Sequence, residues 1–224
     1  AAQQLARSER ESAWREMAKQ VAHEIKNPLT PMKLSVQQLQ RTYNPEDPKS
    51  GDKLQKVANS IVEQIDALTK IANEFSTFAK MPNPSEERLE LISLVKRVKE
   101  VFTADDGSEI TVHSDEDEIF IKADKDQIIR VFNNLIKNAT QAIPQDQEGK
   151  ITIDLKMESS TVLVTITDNG VGIEQSKLGK IFVPYFTTKS NGTGLGLAMV
   201  KQMVENHHGS IDFDTVEGKG TTFF

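Results

Sequence analysis

Three groups of residues in this sequence carry side chains that could do chemistry, and the first group is centred on His23. Glu24 follows it directly, and Asn27 lies one helical turn further on in the run VAHEIKNPLTPMKLS. Residues four apart share one face of a helix, so this spacing points an imidazole and an amide at the same region of solvent. Neutral imidazole is a nucleophile at physiological pH. Taken alone, His23 also fits an ordinary solvent-facing histidine on a helix.

The second group is a pair of asparagines, Asn134 and Asn138, in the helical run NNLIKNATQAI. Their spacing of four places both amides on the same helical face. A carboxamide oxygen is a hard ligand that suits Mg²⁺, which keeps several waters and takes few protein ligands. The alternative is that Asn138 only caps or solvates its helix.

The third group combines Asp168 with glycine-rich turns. Asp168 ends an alternating strand pattern and is followed by NGVG, in which Gly170 and Gly172 would let the backbone approach a flat base. A carboxylate at this place can accept a hydrogen bond from an exocyclic amine such as that of adenine. An ordinary DNG turn is the alternative.

A glycine loop, GTGLG at residues 192–196, stands directly before a predicted helix. Backbone N–H groups at the start of a helix can hold phosphate oxygens. No GxxxxGK[ST] pattern exists, which excludes a P-loop, and the loop follows polar TTKSN rather than a strand, which disfavours a dinucleotide fold. Together with His23, these groups predict phosphoryl transfer from a nucleotide onto histidine.

The residues around His23 belong to a long helical pattern that is repeated after a short break. Apolar or small residues step by three and four along two stretches, as in a coiled-coil seam. The steps fall at Trp14, Ala18, Val21, Ile25, Leu29, Met32, Val36 and Leu39, then at Leu54, Val57, Ile61, Ile65, Leu68, Ala72, Phe75 and Phe78. We predict a helical hairpin over residues 1–80 that turns at TYNPEDPKSGD. Because a hairpin cannot cover both its apolar faces alone, we expect it to pair with a second copy into a four-helix bundle.

Pro28 and Pro31 lie inside the first helical pattern. Each removes a backbone hydrogen bond, at a cost of about 3 kcal/mol in an ordinary helix interior. One interpretation is that the helix ends at residue 27. The apolar steps stay in phase through Met32 and Val36, so we predict a continuous, kinked helix with a hinge just after His23.

Residues 81–88 are predicted to form a linker, because MPNPSEE has two prolines and no apolar residue after Met81. Helical and strand patterns interleave over the domain that follows, residues 89–224. Helices are predicted for LISLVKRVKEVF, for DKDQIIRVFNNLIKNATQAI with Asp124 as its N-cap, and for GLGLAMVKQMVENH. Strands are predicted for EITVHS, EIFIKA, KITIDLKM, TVLVTITD, GSIDFDTV and GTTFF. The predicted fold class is α + α/β, a dimerising hairpin followed by an α/β sandwich with helices on one face of a sheet.

The composition limits the class of protein. The chain has 224 residues, with 37% hydrophobic and 27% charged side chains, which suits ordinary protein cores. Its net charge of −6 argues against nucleic acid as a partner. It has no cysteine, which excludes disulfides and thiolate metal sites. No apolar run approaches the ~20 residues that span a bilayer, and the chain starts and stops inside element patterns, so we expect a fragment of a longer protein.

The order of motifs in the second half resembles the Bergerat-fold ATPases, which include histidine kinases, type II topoisomerases, mismatch-repair ATPases and heat-shock chaperones. The asparagine helix, the DNGVG turn, FVPYFTTK, GTGLGL and GKGTTF follow one another as in that family. The resemblance implies that ATP is the nucleotide, that Asn138 binds Mg²⁺, and that Asp168 binds the adenine amine. The other implied nucleotide-binding residues are Asn134 and Lys189 at the phosphates, Gly170 and Gly172 at the base, Gly192, Thr193, Gly194, Leu195 and Gly196 in a lid over the phosphates, and Thr221 near adenine.

The first half separates a kinase from its relatives, since a Bergerat fold alone does not specify function. HEIKNPL on a dimerising hairpin resembles the phosphoacceptor motif of sensor histidine kinases, and its flanks are most similar to the nitrogen-regulation-like branch. The resemblance implies that His23 takes a phosphoryl group from Mg-ATP and passes it to an aspartate of a cognate response regulator. Glu24 would fix the imidazole tautomer, and Asn27 would orient water in a phosphatase reaction. It also implies a homodimer that is the cytoplasmic portion of an inner-membrane sensor, attached through upstream segments absent from this chain.

Two other functions stay open at this point. One is a signalling scaffold that binds a regulator without catalysis, and the other is an ATPase that drives a clamp motion, with the hairpin serving only dimerisation.

Several residues outside the three groups have ordinary interpretations. His113 is expected on an edge strand, and His207 and His208 at a helix end, where a cationic side chain suits the helix dipole. Their spacing indicates no metal cluster. Phe182 and Phe186 are either lid anchors or core residues.

Overall fold

The computed structural model describes residues 2–44, 46–79, 84–103, 108–189 and 192–224. The chain forms two compact units, one of residues 1–81 with the segment 187–195, and the other of residues 82–186 with 196–224. Helices build the first unit, while strands and helices alternate in the second. The predicted α + α/β fold class is confirmed.

Two long helices form the hairpin of the first unit. Helix α1 runs from Ala2 to Thr42 and helix α2 from Ser50 to Ala79. Helix α1 continues through both Pro28 and Pro31, so the prediction of an unbroken helix is correct and the alternative of an end at residue 27 is wrong. Proline has no N–H, so positions 28 and 31 cannot donate the helical bonds to the carbonyls four residues before them.

The turn between the two helices is organised by Asp47. Its carboxylate accepts the backbone N–H of Lys49 at 3.0 Å and the ammonium of Lys53 at 2.9 Å. The hydrogen bond from Lys53, followed by that from Lys49, holds the pKa of Asp47 below its ordinary value. The hydroxyl of buried Ser50 also donates to the carbonyl of Asn44. These bonds join the end of α1 to the first turn of α2.

A single hairpin leaves much of its apolar seam in solvent. Ile25, Leu29, Val36, Leu54 and Ile65 are all exposed, although each lies on the predicted seam. The side chains of Trp14, Ala18 and Phe78 lie outside the described residues. No described helix is both long enough and apolar enough to span a bilayer.

The second unit contains a five-stranded sheet with the order β2-β4-β5-β7-β6. The bounds of its elements are β1 Glu87–Glu90, α3 Leu91–Thr103, β2 Glu109–Ser114, β3 Phe120–Ala123, α4 Lys125–Ala142, β4 Lys150–Glu158, β5 Thr161–Asp168, a 3₁₀ helix Gln175–Lys180, α5 Gly196–Asn206, β6 Phe213–Val216 and β7 Gly220–Phe223. Strands β2 and β4 are parallel, and the other neighbours in this sheet are antiparallel.

One face of this sheet supplies the core. Along β4, Ile151, Ile153 and Leu155 are buried while the residues between them point the other way, as an alternating strand requires. Helix α4 packs on β4, β5 and β7, and helices α3 and α5 pack against α4. The buried residues of α4 are Gln127, Val131, Phe132, Leu135, Ile136 and Ala139, so its other face is left to carry Asn134 and Asn138.

A small second sheet was not predicted. Strand β1, Glu87–Glu90, pairs antiparallel with β3, and buried Leu89 lies opposite Ile121. Two residues of β1 therefore fall inside the predicted linker 81–88, of which residues 81–83 lie outside the described residues. Four residues of ERLE are too few to show a strand period, and their partner strand lies about thirty residues away along the chain.

Candidate active site

His23 is exposed on helix α1, and Asn27 is exposed one turn further on. Glu24 is half-buried, and Pro28 is buried. The continuous helix therefore keeps the predicted arrangement, with an imidazole and a carboxamide open to solvent on one helical face. An exposed imidazole has the access that a nucleophile needs.

Helix α4 holds the two asparagines in place. Asp124 is its N-cap, and the carboxylate accepts the backbone N–H of Gln127 at 3.0 Å. Asn134 donates from its amide to the carbonyl of Arg130 at 2.8 Å. The side-chain oxygen of Asn134 lies against Gly196, where an added Cβ would approach that oxygen to 2.9 Å. The structure thus brings Asn134 to the first residue of α5, and the half-buried Asn138 lies one turn further along α4.

Asp168 ends β5 and is only 5% exposed. One oxygen of its carboxylate accepts two backbone N–H groups, from Gly170 at 2.8 Å and from Thr221 at 3.3 Å. Thr221, in β7, is also 5% exposed. The predicted base-binding residues Asp168, Gly170 and Thr221 are therefore neighbours, held by the backbone rather than by flexible side chains.

Glycines let three backbone segments meet around Asp168. A Cβ on Gly170 would lie 2.5 Å from the carbonyl of Ala142 at the end of α4, and one on Gly172 would lie 2.3 Å from the carbonyl of Val216. The space at Gly220 is smaller still, because a Cβ there would lie 1.9 Å from the carbonyl of Asp168. The φ of Gly220 is also 123°, which side chains rarely adopt. No other residue type fits at Gly220 without moving a strand.

Two further residues shape this site and were not predicted as site residues. Asn169 accepts the N–H of Lys150 at 2.9 Å and donates to the carbonyl of Glu148 at 2.9 Å, which fixes the turn to the start of β4. Thr215 in β6 bonds to the backbone of the turn and to Thr221. The GKGTTF motif already indicated Gly220, but nothing in the sequence marked Thr215 beyond its place in an alternating strand.

The glycine loop lies in the segment 187–195, which belongs to the same compact unit as the hairpin. The hydroxyl of Thr187 accepts the backbone N–H of Lys189 at 3.1 Å, and the carbonyl of Lys189 accepts the N–H of Gly192 at 3.2 Å. Gly194 has a φ of 68°, and Leu195 is fully buried. Lys189, Gly192, Thr193 and Gly194 are half-buried.

The ring of Phe182 packs against two other aromatic rings. It lies 6.0 Å from that of Phe213 and 6.5 Å from that of Phe223, in edge-on arrangements. These contacts favour a packing role for Phe182, although its side chain, like that of Phe186, is only half-buried.

The other histidines are partly as expected. His113 is exposed on β2, which is an edge strand. His207 follows the end of α5, but the expectation of a cationic ring there is wrong. Its Nε2 accepts the backbone N–H of Asp124 at 2.9 Å, which requires an unprotonated nitrogen, so Nδ1 donates to the carbonyl of Met203 at 2.7 Å.

Asn138 is the candidate Mg²⁺ ligand, and its chemistry fits that ion. Among the described residues there is no group of three or more His, Cys, Asp or Glu side chains that could hold a metal. A single carboxamide suits an ion that takes most of its ligands from phosphate oxygens and water, as Mg²⁺ does.

Two family models match the chain. The His Kinase A (phospho-acceptor) domain matches residues 13–84, which include His23. The histidine kinase-, DNA gyrase B- and HSP90-like ATPase matches residues 123–224, which include both asparagines and Asp168. The ATPase match supports ATP as the nucleotide.

Curated relatives extend over both matches. A putative sensor histidine kinase, NtrY-like, of Rickettsia conorii is 35% identical over 214 residues, which are 95% of this chain and 36% of the relative. The nitrogen regulation protein NtrY of Azorhizobium caulinodans is 32% identical, over 97% of this chain and 29% of its own length. The chain spans about a third of the length of these relatives.

Solved structures share the same architecture. The histidine kinase ThkA, in complex with the response regulator protein TrrA, superposes with a TM-score of 0.76 at 28% identity, over 97% of this chain and 62% of that chain. The nucleotide-free catalytic domain of ThkA gives a TM-score of 0.56 at 29% identity, over 62% of this chain and 92% of that chain.

The fold and the site define a phosphoacceptor hairpin joined to an ATPase domain, the two domains of a protein-histidine kinase. The chain belongs to the family of sensor histidine kinases, and its relatives named NtrY support the nitrogen-regulation-like branch.

Proposed function

We propose that this chain is a catalytic core that transfers the γ-phosphoryl group of ATP to His23 and then to an aspartate of a response regulator. One observation carries the proposal: His23 is exposed on an unbroken helix, within the residues that match the phosphoacceptor family. The proposed domains are residues 1–80 for phosphotransfer, 81–88 for the linker, whose last two residues already belong to β1, and 89–224 for ATP binding. The family matches at 13–84 and 123–224 support them.

The first step is an in-line displacement at the γ-phosphorus. A ring nitrogen of His23 forms the new N–P bond while the bond to the bridging oxygen breaks and ADP leaves. Glu24, next along the helix, hydrogen-bonds the other ring nitrogen, fixes the tautomer and stabilises the positive charge that develops on the ring. Transfer requires that the phosphate reach the exposed face of α1.

The adenine end of the nucleotide is assigned to the pocket around Asp168. The carboxylate of Asp168 accepts a hydrogen bond from the adenine amine, and Thr221 lies beside Asp168. The backbone at Gly170 and Gly172 lines the base. The two backbone N–H bonds on Asp168 support this role, because they fix the carboxylate before any ligand arrives.

The phosphate end is assigned to α4, to the start of α5 and to the glycine loop. Asn134 and Lys189 bind the phosphates, and Gly196 presents the N-terminus of α5 to them. Gly192, Thr193, Gly194 and Leu195 form the lid. Asn138 would hold Mg²⁺, which supplies charge neutralisation at the phosphates when it is bound.

A homodimer and a response regulator are the proposed partners. The exposed seam of the hairpin supports self-association, because contiguous apolar surface in water marks an interaction site. The likeness to ThkA, whose structure contains the regulator TrrA, supports the second partner. The absence of a nucleic-acid partner and the placement at a membrane stay predictions.

Incubation with γ-labelled ATP tests the proposal. The chain should take up a label that is labile in acid and stable in base, as a phosphorus–nitrogen bond to imidazole is. His23→Gln should abolish the label, while His113→Gln, the same change at another exposed histidine, should keep it. Equal labelling of His23→Gln and the unchanged chain would refute the proposal.

Asn27 supports a second activity at the same place, dephosphorylation of the regulator. Its exposed carboxamide lies one turn from His23, where it can orient a water against an aspartyl phosphate. Asn27→Ala should leave labelling of His23 intact and slow phosphate release from the labelled regulator by roughly 100-fold, a typical contribution of one positioning group. Equal loss of both activities would contradict this role.

The two alternative functions are separated from the kinase by simple measurements. A scaffold without catalysis would show no ATP binding by calorimetry, whereas the kinase should bind ATP and lose that binding in Asn138→Ala. A clamp ATPase would release phosphate steadily without forming a phosphoprotein.

A further inference from the structure

The hydroxyl of Thr215 has three neighbours within hydrogen-bonding distance, one for its proton and one for each of its two lone pairs. It accepts the backbone N–H of Ile173 at 3.0 Å, lies 3.0 Å from the carbonyl of Gly220, and lies 3.0 Å from the hydroxyl of Thr221. Thr215 and Thr221 are directly opposite in the β6–β7 ladder. A hydroxyl has one proton to donate and two lone pairs to accept.

These donor and acceptor sites determine which group donates in each of the three hydrogen bonds. A carbonyl oxygen can only accept, so the single proton of Thr215 goes to Gly220. One of its lone pairs is used by the N–H of Ile173. The remaining lone pair must accept the proton of Thr221, so the hydroxyl of Thr221 is left with acceptor lone pairs to present to a ligand.

Thr221 stands next to Asp168, whose carboxylate, in its ionised form, also carries acceptors only. The two are linked by the bond from the backbone N–H of Thr221 to the Asp168 carboxylate, and both are 5% exposed. The three side chains Asp168, Thr221 and Thr215 therefore follow one another across β5, β7 and β6.

We propose that Thr215 is a positioning residue for nucleotide selection: it makes Thr221 a hydrogen-bond acceptor and so favours a 6-amino purine over a 6-oxo purine. The proposal rests on the proposed binding of the adenine ring at Asp168. Adenine donates from its 6-amino group, whereas guanine and hypoxanthine carry a carbonyl oxygen there. An acceptor of Thr221 that faces this oxygen is repelled, and the repulsion is weakly screened because Thr221 is buried.

The decisive variants are Thr215→Val, which keeps the shape of the side chain and removes the hydroxyl, and Thr215→Ser, which restores it. In Thr215→Val the hydroxyl of Thr221 becomes able to donate. The ratio of the Kd for GTP to the Kd for ATP, measured by competition with a fluorescent ATP analogue, should fall about tenfold, equivalent to about 1.4 kcal/mol. Thr215→Ser should retain the ratio of the unchanged chain.

A merely structural role gives a different result. If Thr215 only supported the strands, Thr215→Val would raise the Kd for GTP and the Kd for ATP by the same factor. An unchanged ratio of the two Kd values would overturn the proposal. The ratio does not depend on His23, so it can be measured in His23→Gln as well. A chain that binds ATP but has no phosphorylated histidine would overturn the proposed kinase and leave this inference standing, whereas a chain that binds no ATP would overturn both.

A ligand series in the unchanged chain covers the case in which Thr215→Val does not fold. ATP, purine riboside triphosphate and inosine triphosphate differ at the 6 position by an amine, a hydrogen and a carbonyl. We expect ATP to bind best and inosine triphosphate worst. If inosine triphosphate bound as tightly as purine riboside triphosphate or tighter, no hydrogen-bond acceptor would be facing the 6 position of the base, and the proposal would be wrong.

Discussion

Backbone donors and glycines shape the proposed base pocket around Asp168. Two backbone N–H groups hold the Asp168 carboxylate, and glycines at 170, 172 and 220 admit carbonyls at distances that a Cβ would not allow. Fixed dipoles of this kind need no rearrangement when a ligand binds.

Gly220→Ala should therefore be severely destabilising. Its φ of 123° is nearly restricted to glycine, and the added Cβ would meet the carbonyl of Asp168 at 1.9 Å. We expect a loss of about 3 kcal/mol in the free energy of unfolding by urea, with loss of ATP binding.

Two other glycines give graded controls for that variant. Gly218 has a φ of 78° but open space around a Cβ, so Gly218→Ala should cost about 1 kcal/mol. Gly179 has neither constraint, and Gly179→Ala should change stability by less than about 0.5 kcal/mol. Equal losses at all three positions would show that the contact with Asp168 is unimportant.

The sequence marks candidate site residues that belong to motifs but not those that act through other strands. Asp168 is marked because a carboxylate at a strand end before glycines is a local pattern. The role of Thr215 depends on its cross-strand partner Thr221 and on the turn at Ile173, and local patterns carry no pairing register.

At the level of elements, Asp124 joins three parts of the second unit. Its carboxylate caps α4 through Gln127 and accepts the backbone N–H of Ser85 at 2.9 Å, and its own N–H donates to His207. Burial raises the pKa of Asp124, but the N–H donors of Ser85 and Gln127 outweigh it, so the pKa is lowered overall.

Asp124→Ala should lower the free energy of unfolding by about 1 kcal/mol, the usual cost of losing an N-cap. Asp126→Ala is the matched control, because Asp126 lies in the same first turn and carries the same charge. If the control cost as much in urea unfolding, the charge rather than the capping bonds would explain the loss.

The lowered pKa of Asp124 also sets the pH dependence of this contribution. The unfolded chain takes up the proton at a higher pH than the folded chain, so the stabilisation is complete at neutral pH and is lost as the pH falls through the depressed pKa. The difference in stability between the unchanged chain and Asp124→Ala, measured by urea unfolding, should therefore be constant above the usual titration range of a carboxyl group and shrink below it. A difference that shrinks on the alkaline side would contradict the assignment.

Long elements were predicted well, whereas the strands of four residues were predicted only in part: β3 and β7 lie within predicted strands, but two others do not match. Strand β5 and the N-cap of α4 match their predictions, because eight alternating residues and a capping aspartate are local signals. The run GSIDFDTV gives a strand only from Phe213, and β1 was missed altogether. A strand of four residues is specified mainly by its partner.

For the whole molecule, the proposed consequence of the exposed hairpin seam is self-association. Ile65 on the seam is 49% exposed, and Val101 on α3 of the other unit is 67% exposed. Exposure alone therefore does not identify an interface. Of these two residues, Ile65 is the one that lies on a repeating apolar seam.

Ile65→Glu should shift the chain from dimer to monomer in analytical ultracentrifugation, because a carboxylate inside a four-helix core has no partner for its charge. Val101→Glu adds the same charge at a more exposed apolar residue and should leave the dimer intact. A dimer that survives Ile65→Glu would place the interface elsewhere.

Strands β2 and β4 lie side by side in parallel, and the chain between them contains β3 and α4. A parallel pair needs such a crossover, so the chain through β3 and α4 must return to the sheet for β4 to lie beside β2. We therefore expect the helix that carries Asn134 and Asn138 to take part in the folding of this edge. Substitutions that weaken α4 would slow the refolding of the sheet, in addition to any effect on the nucleotide.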